Sequence, residues 1–424
     1  MAYTVIMVLL VLYFPIFSQM AEVGRDNQIT VYYIFLILLS LGFVVKSGKK
    51  NHLDGHARFF SFYFIANIIL TTEQFIVTSL SARTFLAACF PYALSLFIFH
   101  FLYRHPSDEI KRIIEKVFRF IIIAFFIQFV LSIYESSIGH YIGVIWEDPN
   151  GVQLYSGWEN RIVLNMLGNF TGGLTSSFHF PLSGLLGQHN YWGSQLPFYN
   201  LICLIVYHET KEKKFLFGLI TIFIAVIFNT SRFGLAGIIV TDLFYVAYYF
   251  SFVRKYILLF FSILIIIILY TLADIISLWE NYQALQPDTL QYRVNNYSEF
   301  WKHLVDLHIG DYIFGIGLKD SPKYYEKIMG FPGNFESSIL MSFFQYGIIG
   351  LSLLMYLWKK IFNYAMRFKN RFNPFIFLLF VNIIAVSITV NGISYYFVLP
   401  FVALIFFHQI VLGLLSIENR AVAS

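Results

Sequence analysis

Long apolar runs recur along the whole chain and limit what it can fold into. A helix needs about 20 apolar residues to cross a bilayer core of about 30 Å, and windows of that size fit the sequence twelve times. The predicted spans are 3–19, 29–45, 59–79, 84–103, 117–134, 191–207, 215–229, 233–252, 256–273, 337–358, 374–390 and 393–413. Of the 424 residues, 58% are hydrophobic and 12% are charged, which excludes a soluble fold. We therefore expect an all-α polytopic membrane protein with a single integral membrane domain, 1–424.

The basic residues predict how the spans are oriented. With the N-terminus inside, about 20 of the 29 Lys and Arg residues fall in cytoplasmic loops or in the C-terminal tail. Two large loops, 135–190 and 274–336, then lie outside the membrane. In the second loop, apolar residues from Leu290 to Leu304 recur at spacings of three and four, which predicts an amphipathic helix on the membrane surface. Both termini are expected in the cytoplasm.

Neither a cofactor nor a nucleic-acid partner is predicted. The formal charge of +5 follows from the insertion signal, so it does not indicate nucleic acid. Cys89 and Cys203 both lie inside apolar runs and offer neither a disulfide framework nor a metal-ligand cluster. Because the acidic residues outside are dispersed, we expect no metal.

Arg232 is the most informative of the nine basic residues that the topology places outside. It lies in Asn229-Thr230-Ser231-Arg232-Phe233-Gly234, where one predicted span ends and the next begins within a residue or two. Thr230 or Ser231 can cap the second helix, which places Arg232 among free backbone N–H groups at a positive helix end. Such a position attracts phosphate, although an arginine that reaches lipid headgroups explains the pattern too.

Two further external sites are candidates for contact with the same ligand. Arg293 lies on the predicted surface helix, next to Tyr292, and with Arg232 it can hold a pyrophosphate by paired hydrogen bonds. A solvated helix face or a headgroup contact is the alternative for Arg293. Glu336 directly precedes a predicted span, where it is either a helix cap or a general base.

The remaining candidates carry weaker signals. His189 and Asn190 open a predicted span on the outer side and can contact a sugar or a phosphate, although a capped helix start explains them nearly as well. Arg161 lies in the first large loop beside ordinary acidic neighbours such as Glu159. Asp242 lies in the middle of a predicted span, where a charged residue is costly.

Three short segments resemble the bacterial polysaccharide polymerases known as Wzy and the related O-antigen ligases. Ser231-Arg232-Phe233-Gly234 is similar to the arginine motif that opens a helix in this superfamily. The run from Arg293 through Trp301 to Phe314-Gly315-Ile316-Gly317 is like the arginine, tryptophan and glycine pattern of its large loop. Glu336-Ser337, followed by the segment 345–350 (QYGIIG), resembles the polar pair and the glycine motif of the next helix. The twelve spans and the two large loops resemble the family's topology.

Two details bear on the branch of the superfamily. Ligases of this group carry a histidine motif where the chain has Glu336-Ser337, so the resemblance favours a polymerase. The polymerases also have an arginine followed eleven positions later by glycine in both large loops. Arg161 and Gly172 fit that spacing, whereas Arg293 meets Leu304.

The resemblance implies a GT-C-like glycosyltransferase of the bacterial inner membrane that needs no metal. Its donor and acceptor would be glycans linked to undecaprenyl pyrophosphate, in an O-antigen or related polysaccharide pathway. Arg232 and Arg293 would bind the pyrophosphate, Glu336 would be the base, and Arg161, His189, Asn190 and Tyr292 would contact substrate. A chain-length regulator, a flippase and membrane lipids are the further partners that it implies.

Other functions stay open on the sequence. An O-antigen ligase would transfer the finished glycan to lipid A-core. A flippase or secondary transporter would place polar residues near the midplane, whereas this chain places its unusual residues at the outer rim. A structural scaffold in a glycan-export complex would tolerate loss of Arg232, Arg293 and Glu336 together.

Overall fold

The computed structural model describes residues 54–77, 82–103, 106–138, 182, 189–229, 232–249, 299, 302–304, 307–329, 337–367, 373–389, 399, 401–413 and 415. All the regular structure within these residues is helical. The helices are α1 (Asp54–Val77), α2 (Ala82–Tyr103), α3 (Ser107–Ile138), α4 (His189–Thr210), α5 (Lys214–Asn229), α6 (Arg232–Tyr249), α7 (Ile309–Phe314), α8 (Ser321–Met329), α9 (Ser338–Arg367), α10 (Pro374–Thr389) and α11 (Phe401–Gly413).

Nine of these helices coincide with predicted spans, and α7 and α8 lie within the predicted second large loop. The predicted spans 3–19, 29–45 and 256–273 lie outside the described residues, so the total of twelve stays a prediction. In the described part of the chain, three helical stretches are long and apolar enough to cross a membrane: Phe59–Val77, Ser107–Tyr134 and Ser338–Met366. Shorter apolar helices accompany them at Lys214–Asn229, Gly234–Tyr249, Pro374–Ser387 and Phe401–Gly413.

Helices α4 and α11 form the centre of the bundle. Both carry long runs of buried side chains, from Trp192 to Val206 in α4 and from Phe401 to Val411 in α11. Helix α4 contacts α3, α5, α6 and α10. Phe401 of α11 packs edge-on against Tyr199 of α4, with ring centroids 5.2 Å apart. An apolar helix that is buried on all sides has no polar face to turn to water, which fits the interior of a membrane bundle.

The outer surface of α1 is apolar. Phe62, Ile69 and Ile76 are each more than half exposed, at 55%, 61% and 73%. They are seven residues apart, or about two helical turns, so they lie on one stripe of the helix. Large apolar side chains on the outside of a bundle are stable against lipid and unfavourable against water.

Charged contacts gather at one end of the bundle. Arg119 of α3 donates to Glu212, in the turn after α4, across 2.8 Å. Lys111 and Glu115, one turn apart on α3, are separated by 3.5 Å. The predicted orientation places all four residues at the cytoplasmic side: Lys111, Glu115, Arg119 and Glu212. The contacts agree with a location of these residues at one end of the bundle. That this end is cytoplasmic stays a prediction.

Candidate active site

Helices α4, α6 and α9 begin at the other end of the bundle. Helix α5 ends at Asn229 and α6 begins at Arg232, which confirms the short junction expected from the sequence. Helix α4 begins at His189, and a Cβ placed on Gly237 of α6 would lie 3.0 Å from Cγ of Pro197 of α4. A second contact, between Asn200 and Asp242, lies further along both helices, so α4 and α6 run in the same direction. Their starts are eight and five residues before the first contact, on the same side of it.

The start of α9 lies at this end too, beside the end of α10. Ser337 Oγ donates to the carbonyl of Ser387 over 3.2 Å, and Asn382 Nδ2 of α10 donates to Thr241 Oγ1 of α6 over 3.1 Å. The free N–H groups in the first turn of each of these three helices can bind an anion locally, beside the ends of α5 and α10.

Ser337 caps helix α9. Its side chain is buried, its Oγ accepts from the backbone N–H of Ile339 over 3.3 Å, and its carbonyl accepts from Met341 over 2.8 Å. The free N–H groups at the first turn of a helix need such acceptors. The residue before it in the chain, Glu336, is therefore not needed as the cap.

The other predicted site residues lie partly outside the described residues. Arg161, Tyr292, Arg293 and Glu336 fall in stretches that the structure does not describe. For His189, Asn190 and Arg232, the structure describes the helix backbone only. Their assigned contacts with substrate stay predictions. Of the predicted surface helix, residues 299 and 302–304 are described, and they are helical in character.

The first large loop is tied to the Arg232 junction through Leu182. The N–H of Leu182 donates to the carbonyl of Phe228 over 3.3 Å, and Asn229 Nδ2 donates to the carbonyl of Leu182. Asn229 is fully buried. A loop residue seven positions before His189 is thus fixed within four residues of Arg232 in the chain.

The two glycine motifs named in the sequence analysis pack against each other. The N–H of Ile316 donates to the carbonyl of Phe344 in α9 over 2.7 Å. Gly315 and Gly347 both have positive φ, +83° and +65°. A Cβ on Gly315 would lie 2.5 Å from the backbone of Gln345, and one on Gly347 would lie 2.3 Å from the carbonyl of Ile313. Only glycine fits at either position.

This packing fixes the end of the second large loop to the helix that follows Glu336. Gly347 has non-helical backbone angles inside α9, so α9 is kinked where the loop meets it. Short helices α7 and α8 complete a small apolar cluster with the first half of α9, around Tyr325 and Phe344. The kink lies nine residues, about two and a half turns, after the first residue of α9.

Gln74 is the residue at this junction that the sequence analysis did not assign. Its side chain is buried at the end of α1, where Oε1 accepts from the N–H of Leu318 over 2.9 Å and Nε2 donates to the carbonyl of Gln345. The sequence indicated that this residue is unusual, because Gln74 interrupts the apolar run of the predicted span 59–79.

Two of the external lysines have acidic neighbours. Lys302 lies 2.5 Å from Glu299, and Lys323 lies 3.3 Å from Asp320, each pair three residues apart in the chain. Lys302 and Lys323 are well exposed, so the pairs contribute little to stability. Because each cation has its own partner, neither is an obvious ligand for a phosphate.

Asp242 makes an interhelical hydrogen bond. Asn200 Nδ2 of α4 donates to Oδ1 of Asp242 in α6 over 2.8 Å. Asn200 is fully buried, and its own side-chain oxygen has no hydrogen-bond partner among the residues that the structure describes. A carboxylate that joins two helices in the apolar interior has a structural role. A function in transport is therefore not needed to explain why Asp242 lies there.

At the opposite end, Glu115, Glu209 and His408 form a cluster whose ligand atoms all lie within 4.8 Å of one another. His408 is fully buried, with Nε2 3.5 Å from Oε1 of Glu209. Histidine and carboxylate ligands of this kind suit a divalent transition metal.

The hydrogen bonds around His408 favour a proton over a metal in this cluster. Asn373 Oδ1 accepts from the N–H of Ile376 over 3.0 Å, so its Nδ2 is the donor to Gln409 Oε1, 3.4 Å away. Gln409 Nε2 then donates to Nδ1 of His408 over 3.3 Å. A neutral His408 therefore carries its hydrogen on Nε2, facing Glu209, and has no lone pair there for a metal.

Glu209 lies two residues beyond the predicted span 191–207 and is a pH-sensitive group. Burial raises the pKa of Glu209 to about 7, from an ordinary value of 4.5, with Glu115 adding to the shift and Lys111 opposing it. The folded protein thus holds a proton that the unfolded chain has lost between pH 4.5 and 7. The stabilising contribution is complete below pH 4.5 and is lost as the pH rises through about 7.

We therefore expect Glu209→Gln to stabilise the protein at pH 8 more than at pH 5.5. The neutral amide removes the cost of ionising a buried carboxylate, a gain of about 1–2 kcal/mol after allowance for solvent screening. Thermal unfolding of the detergent-solubilised protein at the two pH values measures it. Glu212→Gln is the matched control, because that exposed carboxylate should show no gain at pH 8. Equal shifts at both pH values for Glu209→Gln would contradict the prediction.

A known protein family matches part of the chain. The model of the O-antigen ligase family matches residues 217–355, from α5 into α9. This stretch contains Arg232, Arg293 and Glu336, whereas Arg161, His189 and Asn190 precede it. No curated protein and no solved structure matches the chain. Members of the family are glycosyl-transferring enzymes that act on lipid-linked glycans in surface glycan assembly. With its apolar helices, the chain is a multi-pass membrane protein, and the match over residues 217–355 supports its membership of the O-antigen ligase and polymerase superfamily.

Proposed function

We propose that the chain polymerises undecaprenyl-pyrophosphate-linked repeat units into O-antigen or a related surface polysaccharide, on the outer face of the bacterial inner membrane. The observation that carries the proposal is the common end at which α4, α6 and α9 begin, with Arg232 as the first residue of α6 and Glu336 directly before the cap of α9. An anion-binding end and a carboxylate in one place suit the transfer of a sugar from a pyrophosphate.

Arg232 and Arg293 stabilise the leaving group in this mechanism. When the bond between the anomeric carbon and the phosphate oxygen breaks, negative charge develops on undecaprenyl pyrophosphate. The free N–H groups in the first turn of α6, together with two guanidinium groups, oppose that charge. No nucleotide sugar is needed, because the donor glycan already carries an activated leaving group.

Glu336 takes the role of general base. It removes the proton from the acceptor hydroxyl at the non-reducing end of a carrier-linked repeat unit, and the oxygen forms the new glycosidic bond to the anomeric carbon. The proton passes to Glu336 and then to solvent, while the pyrophosphate leaves with the bonding electron pair. Because Ser337 already caps α9, the carboxylate of Glu336 is available for this step.

An O-antigen ligase is the second candidate, and the match to the O-antigen ligase family favours it. A ligase uses the same donor and releases the same undecaprenyl pyrophosphate, but its acceptor is lipid A-core. The two candidates therefore share the anion site and differ in the acceptor.

The surface glycan of a gene deletion strain distinguishes the two candidates. We expect loss of the polymer ladder on a gel, with retention of a single attached repeat unit, and recovery of the ladder with the wild-type gene. Loss of every attached unit, with polymer accumulating on the carrier lipid, would identify a ligase instead. An unchanged ladder would contradict both candidates.

A further inference from the structure

The kink in α9 leaves two backbone carbonyl groups facing other parts of the chain. In a continuous helix, the carbonyls of Phe344 and Gln345 would accept from backbone N–H groups one turn later, and the break at Gly347 disturbs that pattern. The carbonyl of Phe344 accepts from the N–H groups of Ile316, at 2.7 Å, and Gly317, at 3.4 Å. The outer loop thus supplies part of the hydrogen bonding that the kinked helix needs.

Gln74 supplies the rest, and it does so from a third element. Its Nε2 donates to the carbonyl of Gln345, and its Oε1 accepts from the N–H of Leu318 over 2.9 Å. Both ends of one buried amide are therefore used, one on the kink and one on the loop. Since a buried backbone group without a hydrogen-bond partner is destabilising, this amide favours the docked arrangement.

A second bond from α1 supports the same arrangement. Thr71 Oγ1 donates to the carbonyl of Asn67 over 2.8 Å, so the hydroxyl of Tyr346 is the donor in its 3.0 Å contact with Thr71. Thr71 is one turn before Gln74, and Tyr346 directly precedes the kink. The last two turns of α1 therefore hold the kinked segment of α9 by side-chain hydrogen bonds.

We infer that Gln74 is a positioning residue: it clamps the loop segment 313–318 onto the kink of α9 and so holds the second large loop against the helix that follows Glu336. This inference rests on the proposed function, because the same loop carries Arg293 upstream of the clamp. Without the clamp, the loop and the start of α9 can move apart, and a displacement of about 1 Å between reacting groups costs up to about a hundredfold in rate.

The clamp itself is tested by hydrogen exchange, independently of any activity. Gln74→Met keeps the size and the apolar surroundings of the side chain but removes both hydrogen bonds. In the purified full-length protein in nanodiscs, we expect amide exchange in the segment 313–320 to rise at least tenfold, because the N–H of Leu318 loses its acceptor. Unchanged exchange in this segment would overturn the inference.

Gln128→Met is the matched control. Gln128 is a buried glutamine on α3 whose Oε1 accepts from Nε1 of Trp192 over 3.1 Å, with no bond to the described part of the second loop. Its replacement removes a comparable hydrogen bond and should leave exchange in 313–320 as it is in wild type. A rise in both variants would mean general loosening of the bundle and would overturn a specific clamp.

Gln74→Glu is the second variant, for use if Gln74→Met does not accumulate in the membrane. An ionised carboxylate at this position still accepts from Leu318, but it cannot donate to the carbonyl of Gln345 and repels that oxygen, so it loosens the contact with the kink. We expect an increase in exchange here too, and wild-type exchange would overturn the inference.

The catalytic consequence is tested with polymer formation in vitro from a carrier-linked repeat unit. We expect Gln74→Met to lower kcat by about tenfold to a hundredfold with little change in the KM of the acceptor, because orientation and not binding is lost. If Gln74 acts through the loop that carries Arg293, adding Gln74→Met to an Arg293→Lys variant should lower the rate by much less than it lowers the wild-type rate.

Two outcomes separate this inference from the proposed function. Raised exchange in Gln74→Met with an unchanged kcat would overturn the positioning role and leave the polymerase proposal intact. A wild-type protein that forms no polymer would contradict the polymerase proposal, while the exchange measurement would still decide whether the clamp exists.

Discussion

Arg232→Ala is expected to abolish the polymer ladder and to leave single attached repeat units on the cell surface. Arg232 is the first residue of α6, at the end of the bundle where α4 and α9 also begin. Removing a cation that faces the charge of a leaving group costs about a hundredfold to a thousandfold in rate. Glycan gels of the complemented deletion strain measure the effect in cells, and single-turnover rates of the purified protein measure it directly.

Two further arginine variants sharpen this result. Arg232→Lys keeps the charge but loses paired hydrogen bonding to a phosphate, so its rate should fall between those of wild type and Arg232→Ala. Arg119→Ala is the matched control at the opposite end of the bundle. Arg119 pairs with Glu212 at 2.8 Å on a part-exposed surface, so its loss should leave the ladder unchanged. A normal ladder in Arg232→Ala, with normal amounts of protein in the membrane, would contradict the anion site.

Hydropathy predicted where the apolar helices lie in the chain better than where they end. The predicted span 337–358 corresponds to α9, which continues to Arg367, and the predicted span 117–134 corresponds to α3, which begins at Ser107 and ends at Ile138. Lysines and glutamates stop an apolar run, but they are good helix formers and do not stop a helix. Both helices therefore extend beyond their apolar segments into polar surroundings.

The short junction between α5 and α6 could also be predicted from the sequence. The short interval between Asn229 and Arg232 leaves no room for a loop, and the structure confirms that α5 ends and α6 begins there. The predicted sidedness of Arg119 and Glu212 agrees with their contact in the structure. These features follow from local composition and from the alternation of spans, which are properties of neighbouring residues.

Contacts between distant segments were not accessible in the same way. Gln74 and Gln345 are 271 residues apart, and nothing in either local sequence indicates the other. The motif around Gly315 and the motif around Gly347 were both recognised by resemblance, yet only the structure shows that each glycine makes room for the other segment. The same holds for the bonds that join His408 to Asn373 through Gln409, because they link α11 to the residue that precedes α10.

Glu336→Gln is expected to stop polymer formation at neutral pH while the protein stays folded. A glutamine at this position cannot remove a proton from the acceptor hydroxyl, and the loss of a general base lowers the rate by about a hundredfold to ten-thousandfold. The fold is expected to survive because Ser337, and not Glu336, caps α9. Single-turnover transfer from a carrier-linked donor, followed over a range of pH, measures the loss.

Ser337→Ala separates the base from the cap. It removes the side-chain acceptor of the Ile339 N–H and the donor to Ser387, so the free energy of unfolding should fall by about 1 kcal/mol with the transfer rate nearly unchanged. Glu336→Gln should show the reverse, with a normal unfolding temperature and a lost rate. If Glu336→Gln instead lost stability and kept its rate per folded molecule, Glu336 would be a structural residue. The base would then have to be another group at the end where α4, α6 and α9 begin.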